Sequence, residues 1–323
     1  MTGHRDFITE FLFAGSPVEC GGGKARADVL MDLRAEGWVG LPHGGIGMAA
    51  IVELGSCLDY PGDIIPHPFT VDYRLGGSRL RVGDRVCIEA ERAQGGITGK
   101  IVPAGCDAPY LSAALSWEGR EKQDAFKGVL PARFSDIEGR LKPLPYYKNC
   151  FVCGVERKEP GLKRKFQLLD SPDEKLIVSL AGFAPEDSGS FYLFQRNGFL
   201  HPVALLALLD ETLGWAGFMI SASGGVTTRI SYAFLRKVAV GEKIAVFARG
   251  DRLRGTASRT FYWASGAAAV VKDSGEFEVV ASASGQYFGM RELTEQMKTE
   301  LMPADINARA FAVAESWSRH FRG

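Results

Sequence analysis

The sequence predicts an α+β protein built from two similar units in tandem, and three observations carry that expectation. The chain has 323 residues, more than one hydrophobic core usually organises and close to twice a common domain size. Two apolar stretches, each opened by a histidine, recur at one offset, His43 and His201 (201 − 43 = 158). Glu53 and Glu211 hold equal places within them (211 − 53 = 158), and the turns Val82-Gly83-Asp84 and Val240-Gly241-Glu242 keep the same spacing. A constant offset over about 40 residues is explained by duplication, because chance matches scatter.

Each copy reads the same way. The first opens on a short strand over 25–33, followed by a helix over about 44–58. Strand-like runs at 69–75, 85–92, 96–102 and 110–117 then alternate with Gly/Asp turns, the pattern of an antiparallel meander. A polar segment holding Pro131, Pro143 and Pro145 reads as a connector. The second copy opens with strands at 162–169 and 176–180 and continues into a helix over about 202–220. In that helix Val203, Leu206, Leu209, Leu213 and Phe218 recur at helical spacing within a stretch that is apolar nearly all round. Such a helix is buried on most sides. Strands follow at 227–235, 243–250, 258–263, 267–272 and 279–287, and the chain closes on a helical tail. The expected division is 1–120 for the first unit, 121–147 for the connector, 148–290 for the second unit and 291–323 for the tail.

Composition narrows the function. Hydrophobic residues are 46% and charged residues 24% of the chain, the mix of an ordinary soluble protein. Thirty-eight Lys and Arg balance 38 Asp and Glu, so no global field favours nucleic acid or an anionic membrane. The opening MTGHRDFITEF is charged where a signal peptide needs an apolar run. The most apolar stretch, 199–220, contains His201, Asp210 and Glu211, which makes it a poor membrane span. Six scattered cysteines form no disulfide framework, which points to the cytoplasm. Cys150 and Cys153 form a lone CxxC with no second ligand pair nearby in sequence. No metal and no organic cofactor are therefore expected. GxSxG, P-loop and HExxH motifs are absent. Residues 45–50 fit GxGxxA formally, but Pro42 and His43 interrupt the strand that a dinucleotide site requires.

The motifs resemble the hotdog superfamily, specifically its PaaI-like acyl-CoA thioesterases. His43-Gly44-Gly45 is similar to the family's HGG at the start of the central helix. In the second half, Cys150-Phe151-Val152-Cys153-Gly154 with Pro160-Gly161-Leu162 resembles a CFxCG…PxGL lead-in, and His201…Asp210-Glu211…Gly214 has the family's spacing from histidine to acid. Gly225-Val226-Thr227 onward resembles the strand after the helix. Where relatives have an asparagine six residues before the histidine, this chain has Gly37 and Gln195, with Asn197 nearby. The resemblance implies two tandem hotdog domains, each an antiparallel sheet wrapped round a central helix, forming an intramolecular pseudo-dimer. It implies a substrate that is an acyl thioester of CoA or acyl carrier protein, and further association into a homo-oligomer.

Within that frame the halves are complementary. Gly44 offers an N–H at a helix start, where the first donors lack intrahelical partners and face the positive dipole end. Its counterpart Pro202 has none. Asp210 falls where the family keeps its acid and Thr227 where it keeps a hydroxyl, while the first-half counterparts are Val52 and Phe69. One composite site follows. Gly44 polarises the carbonyl, Asp210 attacks or activates water, Thr227 orients it and His43 shapes the entrance, with Glu211 as the alternative acid. Gly45, His201, Glu53 and Arg236 are the expected substrate-binding residues, Arg236 (with Arg229 and Lys237) toward a nucleotide phosphate. The rivals are a hotdog dehydratase, for which His43 and Gly47 begin an HxxxGxxxxP signature that Val52 breaks, and a non-catalytic acyl-thioester binder.

Overall fold

A computed structural model of the chain describes residues 6–60, 62–76, 78–117, 130–183, 191–256 and 259–322. The first half contains α1 (Phe7–Phe13), β1 (Glu19–Gly21), β2 (Lys24–Leu30), α2 (Gly44–Asp59), β3 (Phe69–Leu75), β4 (Arg85–Ala93), β5 (Gly96–Pro103) and β6 (Leu111–Ser116). The second contains β7 (Leu141–Pro143), β8 (Phe166–Asp170), β9 (Lys175–Ala181), the short pair β10 (Gln195–Arg196) and β11 (Phe199–Leu200), then α3 (Pro202–Ser221). Four long strands follow, β12 (Gly225–Phe234), β13 (Ile244–Thr256), β14 (Arg259–Val271) and β15 (Phe277–Gly289), and the tail forms α4 (Arg291–Glu300) and α5 (Ala304–Arg322).

Thirteen strands form one antiparallel sheet in the order β1-β2-β4-β5-β6-β3-β12-β15-β14-β13-β9-β8-β7. Each half curls its part of the sheet around its own helix, and the halves meet where β3 pairs with β12. In that seam Arg74 opposes Arg229 and Val71 opposes Tyr232. These two pairs exchange under the repeat offset (74 + 158 = 232; 229 − 158 = 71), so the seam carries a pseudo-two-fold axis. The side chains alternate as a half-buried strand requires, with Val71, Tyr73, Ile230 and Tyr232 turned to the core.

The two central helices cross at the same axis. A Cβ at Gly45 would lie 2.4 Å from the Cα of Ala207, so only glycine lets α2 and α3 approach this closely. Helix α3 is the one described helix long and apolar enough to cross a membrane, and 94% of its apolar window is buried inside the protein. Its length and composition are those of a core helix.

Three expected boundaries shift for identifiable reasons. The strands expected at 258–263 and 267–272 are one strand, β14; Gly266, which reads as a break, is where Leu213 of α3 presses onto the sheet. The strand expected from 162 begins at Phe166, because Leu162 and Arg164 direct their N–H groups to Phe151 and Val152. Of the expected connector, 121–129 lie outside the described residues. Beyond them Phe134 packs against a small core that includes Val178 and Phe247, and β7 extends the sheet beside β8.

Candidate functional site

The site grows from the start of α2. His43 is its N-cap, with extended backbone (φ −66, ψ 126), and its Nδ1 lies 3.0 Å from the N–H of Gly45. Ile46 donates to the His43 carbonyl, which leaves the N–H of Gly44 without a hydrogen-bond partner among the described residues. That N–H therefore projects from the positive end of the helix dipole.

Helix α3 of the other half brings the carboxylates. His43 Nε2 lies 3.2 Å from Glu211 Oε2, and Trp38 Nε1 donates to the same carboxylate at 3.2 Å. Asp210, one residue earlier, faces Gly44: a Cβ there would lie 3.0 Å from Asp210 Oδ2. Only a residue without a side chain leaves room between the helix start and the acid. Thr227, at the start of β12, donates its hydroxyl to Asp210 Oδ1 at 2.9 Å. His43 Nδ1 sits 3.7 Å from Asp210 Oδ2.

His43, Asp210, Glu211 and Thr227 are 5–9% exposed, and with Gly44 and Trp38 they border a cavity of about 690 Å³. Its floor is Trp215, Phe218, Tyr262 and Tyr287, and α4 closes one side with Leu293 and Met297. Arg79 and Arg81 stand at its edge and are exposed.

Burial dominates the electrostatics. It pushes the Asp210 carboxyl above the ordinary carboxylate range, and neighbouring Glu211 adds to this; His43, the Thr227 hydroxyl and the Gly45 N–H oppose it. At His43 burial disfavours the imidazolium, but the bond to Glu211, with Cys150 and Asp210 nearby, raises its pKa to about 9. The Gly45 N–H serves whichever of Nδ1 and the Asp210 carboxylate is free to accept. An acid whose pKa is raised, beside a hydroxyl donor and across from an unused backbone N–H, is equipped for proton transfer to or from a bound group.

The structure thus brings His43, Gly44, Asp210, Glu211 and Thr227 to one cavity. Of the four residues expected to bind substrate, three lie elsewhere. Gly45 adjoins the site, with its Cα at the helix crossing and its N–H directed at His43 Nδ1. His201 and Glu53 meet each other at 3.0 Å at the opposite junction. Arg236 is occupied by Glu242 and Glu278, each at 3.0 Å, so its charge is not available to a phosphate.

That opposite junction repeats the skeleton with different contents. His201 caps α3 through Val203 N, but the first helical residue is Pro202. The places of Asp210 and Thr227 hold Val52 and Phe69, 1% and 2% exposed. The place of Trp38 holds Arg196 (196 − 38 = 158), whose guanidinium bonds Glu53 at 2.7 Å and Asp6 at 2.6 Å. Glu53 is held below its ordinary pKa because His201 and Arg196 together outweigh burial. Sequence reasoning missed Trp38 and Arg196, although they keep the repeat offset only five residues before the histidines.

No family model and no curated protein matches the chain. Solved structures do. A protein described as a thioesterase II from Thermobifida fusca YX is 13% identical, with a TM-score of 0.50 over 86% of this chain and 97% of that one. One described as a thioesterase from Novosphingobium aromaticivorans DSM 12444 is 14% identical, with a TM-score of 0.50 over 85% of this chain and 99% of that one. The dehydratase domain from the CurJ module of curacin polyketide synthase is 10% identical, with a TM-score of 0.53 over 86% and 97%. At such identities the likeness speaks for architecture: the chain has the tandem double-hotdog fold.

Proposed function

We propose that this double hotdog hydrolyses acyl thioesters at one composite site, the thiol being CoA or acyl carrier protein. The observation that carries the reading is the facing of two ends across one cavity. The free N–H of Gly44 comes from the first half and the Asp210 carboxylate from the second, with Thr227 bonded to the latter.

In the reaction, the Asp210 carboxylate takes a proton from water, and the oxygen of that water bonds to the thioester carbon. The carbonyl π electrons move to oxygen, where the Gly44 N–H stabilises the new anion. Collapse of this intermediate breaks the C–S bond, and the proton on Asp210 passes to the leaving sulfur. The products are a carboxylic acid and a free thiol. Thr227 holds the Asp210 carboxylate in place throughout.

His43 distinguishes this reading from dehydration. A dehydratase needs a neutral histidine to remove a proton from the acyl chain. Here Nε2 is engaged by Glu211 at 3.2 Å and Nδ1 by the Gly45 N–H at 3.0 Å, so both ring nitrogens are already occupied. Such a residue does not serve as that base. Incubating the purified chain with straight, branched and aromatic acyl-CoAs and their acyl carrier protein equivalents tests the proposal. Steady release of free thiol is expected from at least one. Hydroxyacyl to enoyl interconversion, or binding without thiol release, overturns it.

A further inference from the structure

We propose a second site beside the first: a buried divalent metal site, suited to zinc, formed by His43, Cys150 and Glu211. One ligand atom from each lies within 4.8 Å of the other two, and all three residues are buried. They come from three separate elements, the cap of α2, the CxxC turn and the middle of α3. The inference stands apart from the hydrolysis proposed above, and its outcome does not depend on it.

Four features point to an ion. The first is spacing. His43 Nε2 and Glu211 Oε2 are 3.2 Å apart, a separation two ligands of a tetrahedral zinc can keep, and unlike the matching His201–Glu53 pair they have, among the described residues, a cysteine sulfur within 4.8 Å. The second is the cysteine turn. The N–H groups of Val152 and Cys153 both point to Cys150 Sγ, at 3.3 and 3.4 Å. These two donors fix the sulfur in its turn, within reach of His43 and Glu211.

The third is charge. At the opposite junction, two carboxylates, Glu53 and Asp6, are answered by the Arg196 guanidinium. At this junction Asp210 and Glu211 are adjacent, and among the described residues only His43 forms an ion pair with them. Thiolate formation at Cys150 would add a further negative charge. A divalent cation supplies what Arg196 supplies opposite, and imidazole, thiolate and carboxylate are together a zinc-type donor set.

The fourth is the outer partner of the histidine. With Nε2 on the ion, the ring proton sits on Nδ1, which faces Asp210 Oδ2 at 3.7 Å. A carboxylate behind a ligating histidine is the usual support for such a ligand. The Gly45 N–H, which already points toward Asp210, then turns fully to that acceptor. Binding releases the Cys150 thiol proton, and the second imidazolium proton, to solvent. The CxxC expected to lack further ligands finds them in space, far away in sequence.

The test uses the full chain, purified, loaded with Zn(II) or Co(II) and dialysed against metal-free buffer. One ion per chain is expected. The Co(II) form should show a near-ultraviolet sulfur-to-metal charge-transfer band, and the zinc X-ray absorption edge a shell of sulfur with nitrogen and oxygen. Cys150→Ser should abolish the band and weaken binding at least tenfold, whereas replacing exposed Cys20 and Cys106 by serine should leave both unchanged. Bound metal far below one per chain, or a zinc shell without sulfur in the unaltered protein, overturns the proposal. So does an unchanged band in Cys150→Ser.

Discussion

The two junctions between the halves are built on one plan and filled with opposite contents. In each, a histidine caps one central helix by accepting a backbone N–H at Nδ1 and reaches a glutamate on the other helix through Nε2: His43 to Glu211 and His201 to Glu53. That cross-pair is therefore architecture, present whether or not chemistry is possible. What one junction has and the other lacks is Asp210, Thr227 and Gly44, and these three border a cavity. The other has Val52, Phe69, Pro202 and the charge lattice of Arg196 with Glu53 and Asp6. Shared features hold the helices, and the features that differ are the candidates for the proposed chemistry. By this criterion Asp210 outranks Glu211 as the acid.

Four substitutions break or sharpen the contrast. The largest effect is expected from Asp210→Asn, which makes the acid position nearly as inert as Val52. The rate of thioester cleavage should fall roughly a hundredfold to ten-thousandfold, the usual worth of a general base, with unfolding unchanged. In the unaltered protein kcat should rise with pH through a midpoint above the ordinary carboxylate range, because burial raises the Asp210 pKa. Full activity in the variant would remove Asp210 from the mechanism.

Arg196→Met attacks the other junction. Removing one member of a buried charge network costs roughly 3–5 kcal/mol, which denaturant unfolding should show, while turnover per folded molecule stays the same. The sign with pH follows from Glu53, whose folded pKa lies below its ordinary 4.5. Its contribution is complete above the unfolded value and lost as pH falls through the folded one. Without Arg196 the folded value rises, so acid unfolding of the variant should begin at higher pH. A loss of turnover without loss of stability would contradict the division of roles.

Gly44→Pro transplants the opposite junction's residue. Proline is tolerated at a first helical position, but it removes the donor, and kcat should drop roughly 10²–10³-fold. Gly44→Ala is the control, since its added Cβ would crowd Asp210 at 3.0 Å while the N–H remains. The difference between the two variants measures the hydrogen bond. Thr227→Val should have the smallest effect, roughly tenfold in rate, from one hydrogen bond to a charged group. Its acid limb should shift to higher pH as Asp210 loses a partner that favours ionisation. Equal pH profiles for Thr227→Val and the unaltered protein would show that the hydroxyl does not support the carboxylate.

Much of this was legible in the chain, because a repeat converts distance along the sequence into symmetry in space. The offset of His43 and His201 located both helix starts, and the Gly44/Pro202 and Asp210/Val52 mismatches located the asymmetry. Where the repeat has no second copy, legibility ends. From the amino-terminal helix α1 and its cap, Thr9 reaches Glu53 and Asp6 reaches Arg196, and among the described residues this helix has no repeat counterpart beside the cavity. Cys150 precedes the second copy and has no partner in the first. Arg236 was readable as a cation but not as an engaged one, because Glu278 reaches it from a different strand. Contacts that join distant, unrepeated segments leave no periodic trace.

The in-chain seam between β3 and β12 has a consequence for concentration. In an assembly of separate hotdog chains, a site shared across the interface is lost when the protein is diluted below its dissociation constant. Here the encounter is intramolecular, so the local concentration of one half about the other is independent of how much protein is present. Specific activity should therefore stay constant down to nanomolar enzyme.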